Sequence, residues 1–267
     1  MSALQAQQLA RLARSTTVGK IAEHAWRIRK AAPADGIAPY CENERIDFAF
    51  IAERRRFADL KLLAMDMDST LITIECIDEL GDIAGCKSEI AAITAQAMRG
   101  ELDYPQSLRK RVGLLAGLPE NALTAVYEQR LRLTPGAEEL LAACKRYGVR
   151  VLLVSGGFTF FTERLKARLG IDYTISNRLE VHAGRLSGKL IGDVVDADAK
   201  AAKFAAVAKE LGARREATVA IGDGANDLKM MALAGLSVAF HAKPVVRAQA
   251  SCAISWCGLD AIVRLYE

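Results

Sequence analysis

The sequence predicts an α/β fold: a parallel sheet covered by helices on both faces, with an inserted helical cap and a short, mainly helical N-terminal extension. Three observations lead there. From residue 60 onward, short β-rich apolar runs alternate with helical patterns, as they do where a parallel sheet is buried on both sides. The segment after the first run is helical and too long for a simple crossover. Three of the runs end in chemically active residues, "DMDST", "SGG" and "GDGAND", and ligands of such sheets gather at the carboxyl ends of the strands.

The candidate strands are "LKLLAMD" (60–66), "VRVLLVSGG" (149–157), "ATVAIGDG" (217–224), "LSVAF" (236–240) and "CAISW" (252–256). Helical patterns occupy 137–147, 159–169, 199–211, 227–234 and 243–250. Residues 77–132 read as helices broken by the turn signals "RGELDYP" and "AGLPEN", which marks the cap. Residues 177–196 alternate around Ala183 and Gly184, a β-hairpin with a tight turn. The expected division is an extension over 1–59, a catalytic core over 60–76 and 133–267, and the cap over 77–132.

In the extension, Leu9, Leu12, Ile21, Ala25 and Ile28 recur at helix-like spacing, which suggests two amphipathic helices docked on the body. The same stretch is rich in arginine and poor in acid, a character shared with transit segments. "YCENERIDFAFI" (40–51) has the make-up of a further strand or a dimer contact.

Composition excludes several classes. The net charge of +4 arises within residues 1–30, and Trp26 is the one aromatic residue among the basic ones there, so no nucleic-acid partner is expected. No apolar stretch is long enough to span a bilayer, and the start lacks the apolar segment of a secretory signal, so a cytoplasmic protein without a membrane partner is expected. Six cysteines stand without a C-x-x-C pair, as reduced thiols do. His24, His182 and His241 have no serine or cysteine nucleophile motif beside them, which argues against a hydrolase triad.

Asp66 and Asp68 lie two apart at the first strand's end, so both point to one side with Cα atoms roughly 6.5 to 7 Å apart. Like charges at that range call for a cation. A carboxylate there can attack an electrophile, and its neighbour can act as acid or base. "DST" alone reads equally well as a helix cap, which accounts for Asp68 but not for both aspartates. Ser155, Gly156 and Gly157 can offer a hydroxyl and backbone N–H groups to an oxyanion, although Ser-Gly-Gly is also an ordinary turn. Lys200 can supply a positive charge to phosphate, although lysines on helices are usually solvated. Asp223 and Asp227 in "GDGAND" add two carboxylates, and an oxygen-only donor set favours Mg²⁺.

These motifs, in this order, resemble those of the haloacid dehalogenase-like phosphohydrolases. The longer stretches "DMDSTLITIECIDEL", "AMRGELDYPQSLRKRV", "SGGFTFF" and "GDGANDLKMM" are similar to the phosphoserine phosphatase branch, from about residue 60 to the end. The resemblance implies a Rossmann-like core and Mg²⁺-dependent hydrolysis of O-phospho-L-serine through an aspartyl-phosphate, the last step of serine biosynthesis. It implies Asp66 as nucleophile, Asp68 as acid and base, and metal held by Asp66, the Asp68 backbone carbonyl and Asp223, with Asp227 nearby. Ser155, Gly156 and Lys200 match its phosphate grip, with Gly157 in support, and Asn226 a residue that orders the substrate site. Glu75 matches the acid that meets the substrate's ammonium, Arg111 the base that meets its carboxylate, and Met98 and Tyr104 the cap-pocket lining, where the family often has phenylalanine at the second position. Relatives often carry a regulatory module before the core; residues 1–59 are too short for a complete one, and a homodimer through this segment is a possible remnant role. Two alternatives stay open: action on another small ester such as phosphothreonine, by hydrolysis or phosphotransfer, and a phospho-accepting signalling domain, which would not need Asp68 as a leaving-group acid.

Overall fold

The structure is a computed structural model and describes residues 1–52 and 55–266. It opens with α1 (Ala3–Leu12), started by a capping box in which the Ser2 hydroxyl accepts from the Gln5 N–H and the Gln5 side chain accepts from the Ser2 N–H. The second expected helix is absent. Ile21, Ala25 and Ile28 lie instead in an antiparallel hairpin, β1 (Thr17–Ala22) and β2 (Ala25–Arg29), with Val18 opposite Ile28. A spacing of four and seven fits a helix, but a turn at Glu23 and His24 folds the segment back on itself, with Ala22 opposite Ala25. Local periodicity cannot separate these cases, while Gly19 weakens a helix and the β-branched Thr17, Val18 and Ile21 favour the strand. The strand considered for 40–51 is also replaced: Ile37 and Cys41, four apart, bury one face of α2 (Ile37–Glu44), and the chain turns out at Arg45 in the left-handed region. Asp47 then stitches this segment to the core, its carboxylate accepting from the N–H groups of Ser255, Trp256 and Cys257 at 2.6 to 3.0 Å.

The first core strand, β3 (Leu62–Asp66), is buried throughout. After it come α3 (Cys76–Ala84), α4 (Lys87–Met98), α5 (Tyr104–Gly113) and α6 (Asn121–Ala125), the helices expected between 77 and 132. The "LDYP" signal resolves into a second capping box, Asp103 with Gln106, at the start of α5. The remaining elements are α7 (Ala137–Tyr147), β4 (Arg150–Phe158), α8 (Thr159–Leu169), β5 (Tyr173–His182), β6 (Arg185–Ile191), α9 (Ala197–Glu210), β7 (Thr218–Gly222), α10 (Leu228–Leu233), β8 (Leu236–Phe240), α11 (Pro244–Arg247), β9 (Cys252–Ile254) and α12 (Ala261–Arg264).

Seven strands form one sheet in the order β6-β5-β4-β3-β7-β8-β9. All neighbours pair in parallel except β5 with β6, the expected hairpin, whose first strand joins the sheet beside β4. Alternation along β3 decides the two core layers. Leu63 and Met65 pack with Val151, Leu153 and Ile221 under α7 and α8, whereas Leu62 and Ala64 pack with Leu152 and Ala220 under Phe204 and Val207 of α9 and Met230 and Met231 of α10. The chain runs from β3 to β4 on one side and returns to β7 on the other, so the strand order reverses at β3. That reversal leaves a crevice at the carboxyl ends.

Candidate active site

Asp66 closes β3 at this crevice. Register places it beside Val154 of β4, with Met65 beside Ile221 of β7, so Asp66, Ser155 and Asp223 arrive at one edge. Beyond Asp66 the chain makes a tight turn over Met67–Leu71 in which Asp68 is extended and Ser69 left-handed, with φ of 57°. The turn aims Asp68 back at the edge. One Asp68 oxygen accepts from the Cys76 N–H, the first of α3, at 3.0 Å, and the other lies 3.5 Å from the Ser155 hydroxyl. A side chain at Gly157 would strike that second oxygen at 2.7 Å, so glycine there keeps Asp68 in place.

The apolar pairing of β4 is interrupted between Val154 and Phe158, and Ser155, Gly156 and Gly157 form the excursion. The Gly157 N–H donates to the Ser155 hydroxyl at 2.8 Å. Lys200, in the first turn of α9 behind the Asp196 cap, is fully buried. Its Nζ donates to Asp66 Oδ1 and Asp227 Oδ1, each at 2.8 Å. Asp227 also receives the Gly224 N–H at 3.2 Å, and a side chain at Gly222 would strike its carboxylate at 2.4 Å. Asn226 lies over Gly224, where a Cβ would meet its Oδ1 at 2.2 Å.

Burial, then the negative Asp227, holds the Asp66 carboxyl well above the usual carboxylate range, with Lys200 pulling the other way. Burial likewise pushes Asp223 up to about 6, with Asp227 adding to it. For Lys200, burial works to lower the pKa, but the two carboxylates outweigh it and hold the ammonium charged. Carboxylate oxygens of Asp66, Asp223 and Asp227 all lie within 4.8 Å of one another, and among the described residues Lys200 is the cation ion-paired with them. This excess of negative charge, built only from oxygen donors, fits a hard divalent cation. The side chain of Asp68 stands outside that group; burial raises its pKa, opposed by the Cys76 N–H.

The inserted helices supply the other side of the cleft. Tyr104 donates from its hydroxyl to the Gly156 carbonyl at 3.2 Å, and burial pushes its pKa up to about 12. Arg111, two turns along α5, has a buried Nε with no partner among the described residues, whereas Arg109 and Lys110 are exposed. Glu75 accepts from the Ser69 hydroxyl at 2.7 Å, and desolvation by the cleft walls, with Asp68 next, pushes it up to about 7. Met98 is not brought to this cleft: it ends α4 with 67 % of its surface exposed. The buried side of α4 is set by Ile90, and a residue eight positions on is rotated by about 80° from it.

Sequence reading overlooked Ser69, whose left-handed backbone is invisible in "DMDST", and Asn177, whose Nδ2 donates to the Gly156 carbonyl at 2.8 Å. Only its position at the hairpin's start hinted at it. His241 makes a hydrogen bond to the Cys257 carbonyl at 2.9 Å.

Residues 63–232 match the family model of the haloacid dehalogenase-like hydrolases. A phosphoserine phosphatase of Polaromonas sp. is 54 % identical over 217 residues, 79 % of this chain and 92 % of that protein. The crystal structure of a probable phosphoserine phosphatase from Vibrio cholerae, unliganded, superposes with a TM-score of 0.84 at 38 % identity, covering 100 % of this chain and 83 % of that one. A substrate-bound phosphoserine phosphatase complex superposes at 0.73 with 41 % identity, covering 78 % of this chain and 99 % of that one. The fold is thus shared with these enzymes along most of the chain, and the chain belongs to the haloacid dehalogenase-like hydrolases, as a phosphatase of their phosphoserine phosphatase branch.

Proposed function

We propose that the chain hydrolyses O-phospho-L-serine to L-serine and phosphate with Mg²⁺, by way of a phosphorylated Asp66, as the last step of serine synthesis in the cytoplasm. Six free cysteines suit a reducing compartment. The observation that carries the choice of substrate is the buried Arg111 Nε, without an acceptor among the described residues, on the helix whose Tyr104 touches the phosphate-side loop. A buried guanidinium nitrogen without an acceptor is costly, and a ligand carboxylate satisfies it. Glu75, ionised, then meets the ammonium.

Asp66 and Asp223 would hold the metal together with the Asp68 backbone carbonyl, since Asp227 is already engaged by Lys200 and Gly224. When bound, Mg²⁺ neutralises the clustered carboxylates and polarises the phosphoryl oxygens. Ser155, the backbone N–H groups of its loop and Lys200 orient the phosphoryl group. A carboxylate oxygen of Asp66 attacks phosphorus, the bond from phosphorus to the serine oxygen breaks, and Asp68 gives that oxygen its proton. Asp68, now ionised, takes a proton from water; the hydroxide attacks phosphorus, the bond to Asp66 breaks, and phosphate leaves. The raised pKa of Asp68 suits a group that must begin protonated. This acid, together with family membership, argues against the phospho-accepting signalling alternative.

Phosphate release from a panel of phosphomonoesters tests the reading. Phosphoserine is expected to give the highest kcat/KM; equal or faster turnover of phosphothreonine, phosphoethanolamine or p-nitrophenyl phosphate would overturn the substrate assignment.

A further inference from the structure

The Gly156 carbonyl is an acceptor shared by two side chains from different parts of the fold. Asn177 Nδ2 donates to it at 2.8 Å from the sheet side, and the Tyr104 hydroxyl donates at 3.2 Å from α5. The orientation of the Asn177 amide is not ambiguous: its Oδ1 receives the Val195 N–H at 2.8 Å, and a backbone N–H can only donate. Asn177 is buried and pairs with Phe158, immediately after the loop excursion.

One peptide plane joins the Gly156 carbonyl to the Gly157 N–H, and the two point opposite ways. Holding the carbonyl therefore aims the N–H, which donates to the Ser155 hydroxyl at 2.8 Å. On its other side, Asn177 holds Val195, directly before Asp196, the residue that caps α9 by accepting from the Ala199 N–H at 2.9 Å. That helix carries Lys200. A single buried amide thus braces the serine–glycine loop against the start of the lysine helix.

We propose that Asn177 is a positioning residue that sets the spacing of the two halves of the phosphate grip, and that the Tyr104 hydroxyl couples α5, with Arg111, to the same carbonyl. The proposal rests on the phosphatase reading of the site but not on phosphoserine as the substrate. Asn177 acts on the phosphate grip, so its loss is felt by every phosphate ester, whereas loss of Arg111 is felt only by esters bearing a carboxylate. Tyr104 lies so close that a Cβ on Gly156 would meet its oxygen at 2.0 Å, so the cap helix and the loop have no slack between them.

The Asn177→Asp variant removes the donor and keeps the acceptor for Val195. At pH 8 it is expected to lower kcat/KM by ~10- to 100-fold for phosphoserine and for p-nitrophenyl phosphate alike, and to weaken competitive inhibition by inorganic phosphate. Acidification returns a donor by protonating the new carboxyl, so the deficit relative to the parent enzyme should shrink toward pH 5, which a purely structural defect would not do. Tyr104→Phe should cost less, and the double variant should depart from the product of the single effects because both side chains act on one carbonyl. Unchanged phosphate inhibition in Asn177→Asp, or a deficit independent of pH, would overturn the positioning role. Strict multiplicativity of the two changes would overturn the coupling through Tyr104. If phosphoserine is not the preferred ester, the common loss across esters still tests Asn177. Because Asn177→Asp could hinder folding, Asn177→Ser serves as a second variant: weaker phosphate inhibition at a parental Tm supports the role, and parental inhibition refutes it.

Discussion

Lys200 lies with its ammonium 2.8 Å from Asp66 and 2.8 Å from Asp227, all three side chains buried. One cation between two carboxylates satisfies neither fully, and Asp223 adds a third. Replacing Lys200 by methionine keeps the volume and removes the charge, leaving carboxylates uncompensated in the interior. The expected cost is roughly 3 to 5 kcal/mol at pH 7, read by urea unfolding. An acid whose folded pKa is raised binds more protons folded than unfolded, so this penalty grows as pH rises above the unfolded carboxylate range near 4 and fades below it. A variant as stable as the parent at pH 7 would refute the charge balance described here.

Mg²⁺ at a hundredfold over its Kd should stabilise the parent chain by about 2.7 kcal/mol, since only the folded state gathers Asp66, Asp223 and the Asp68 carbonyl that would hold it. Chelation should abolish turnover and added Mg²⁺ restore it, while Asp66→Asn should be inactive because an amide cannot form the acyl phosphate. Full activity in excess chelator would remove the metal from the reaction.

For Asp68, the test is the leaving group. General acid help is typically worth about 10² to 10⁴-fold, so Asp68→Asn should slow phosphoserine by at least that range. The phosphorylation step with p-nitrophenyl phosphate, whose leaving group needs little protonation, should suffer less in rapid-quench kinetics. Equal losses would mean that Asp68 does not protonate the departing oxygen.

Substrate selection turns on Arg111. Arg111→Ala is expected to cost roughly 2 to 5 kcal/mol in kcat/KM for phosphoserine and to leave phosphoethanolamine, which has no carboxylate, nearly unaffected. Arg109→Ala should change little, since that side chain is exposed. A selective loss in Arg109→Ala alone would move the assignment.

Desolvation first, and then Asp68, pushes the Glu75 carboxyl up to about 7. Protonation removes the negative charge that meets the ammonium, so kcat/KM for phosphoserine should fall as pH drops from 8 to 6. Glu75→Gln should be slower at pH 8 and lack this part of the acid limb. Comparing the two enzymes cancels the substrate phosphate's own ionisation near pH 6. An acid limb that is identical in both would assign the titration elsewhere.

By itself the sequence determined the alternating strands and helices, the helical insertion after the first strand, and the polar ends of three strands, because burial on a sheet leaves a period that survives in the order of residues. Asp66, Asp68 and Asp223 were legible for that reason. Arg111 and Glu75 were legible only through resemblance, and Lys200 was a candidate weighed against the surface reading, since a lysine on a helix looks solvated until its burial is known. Tertiary structure decided what joins distant residues: Lys200 to Asp66 across 134 positions, Tyr104 to Gly156 across 52 and Asn177 to Gly156 across 21. It also turned Ile21, Ala25 and Ile28 into a hairpin and left Met98 at the surface. Spacing along a chain reports which residues share a face, but which face is covered, and by what, depends on contacts between segments that no local period encodes.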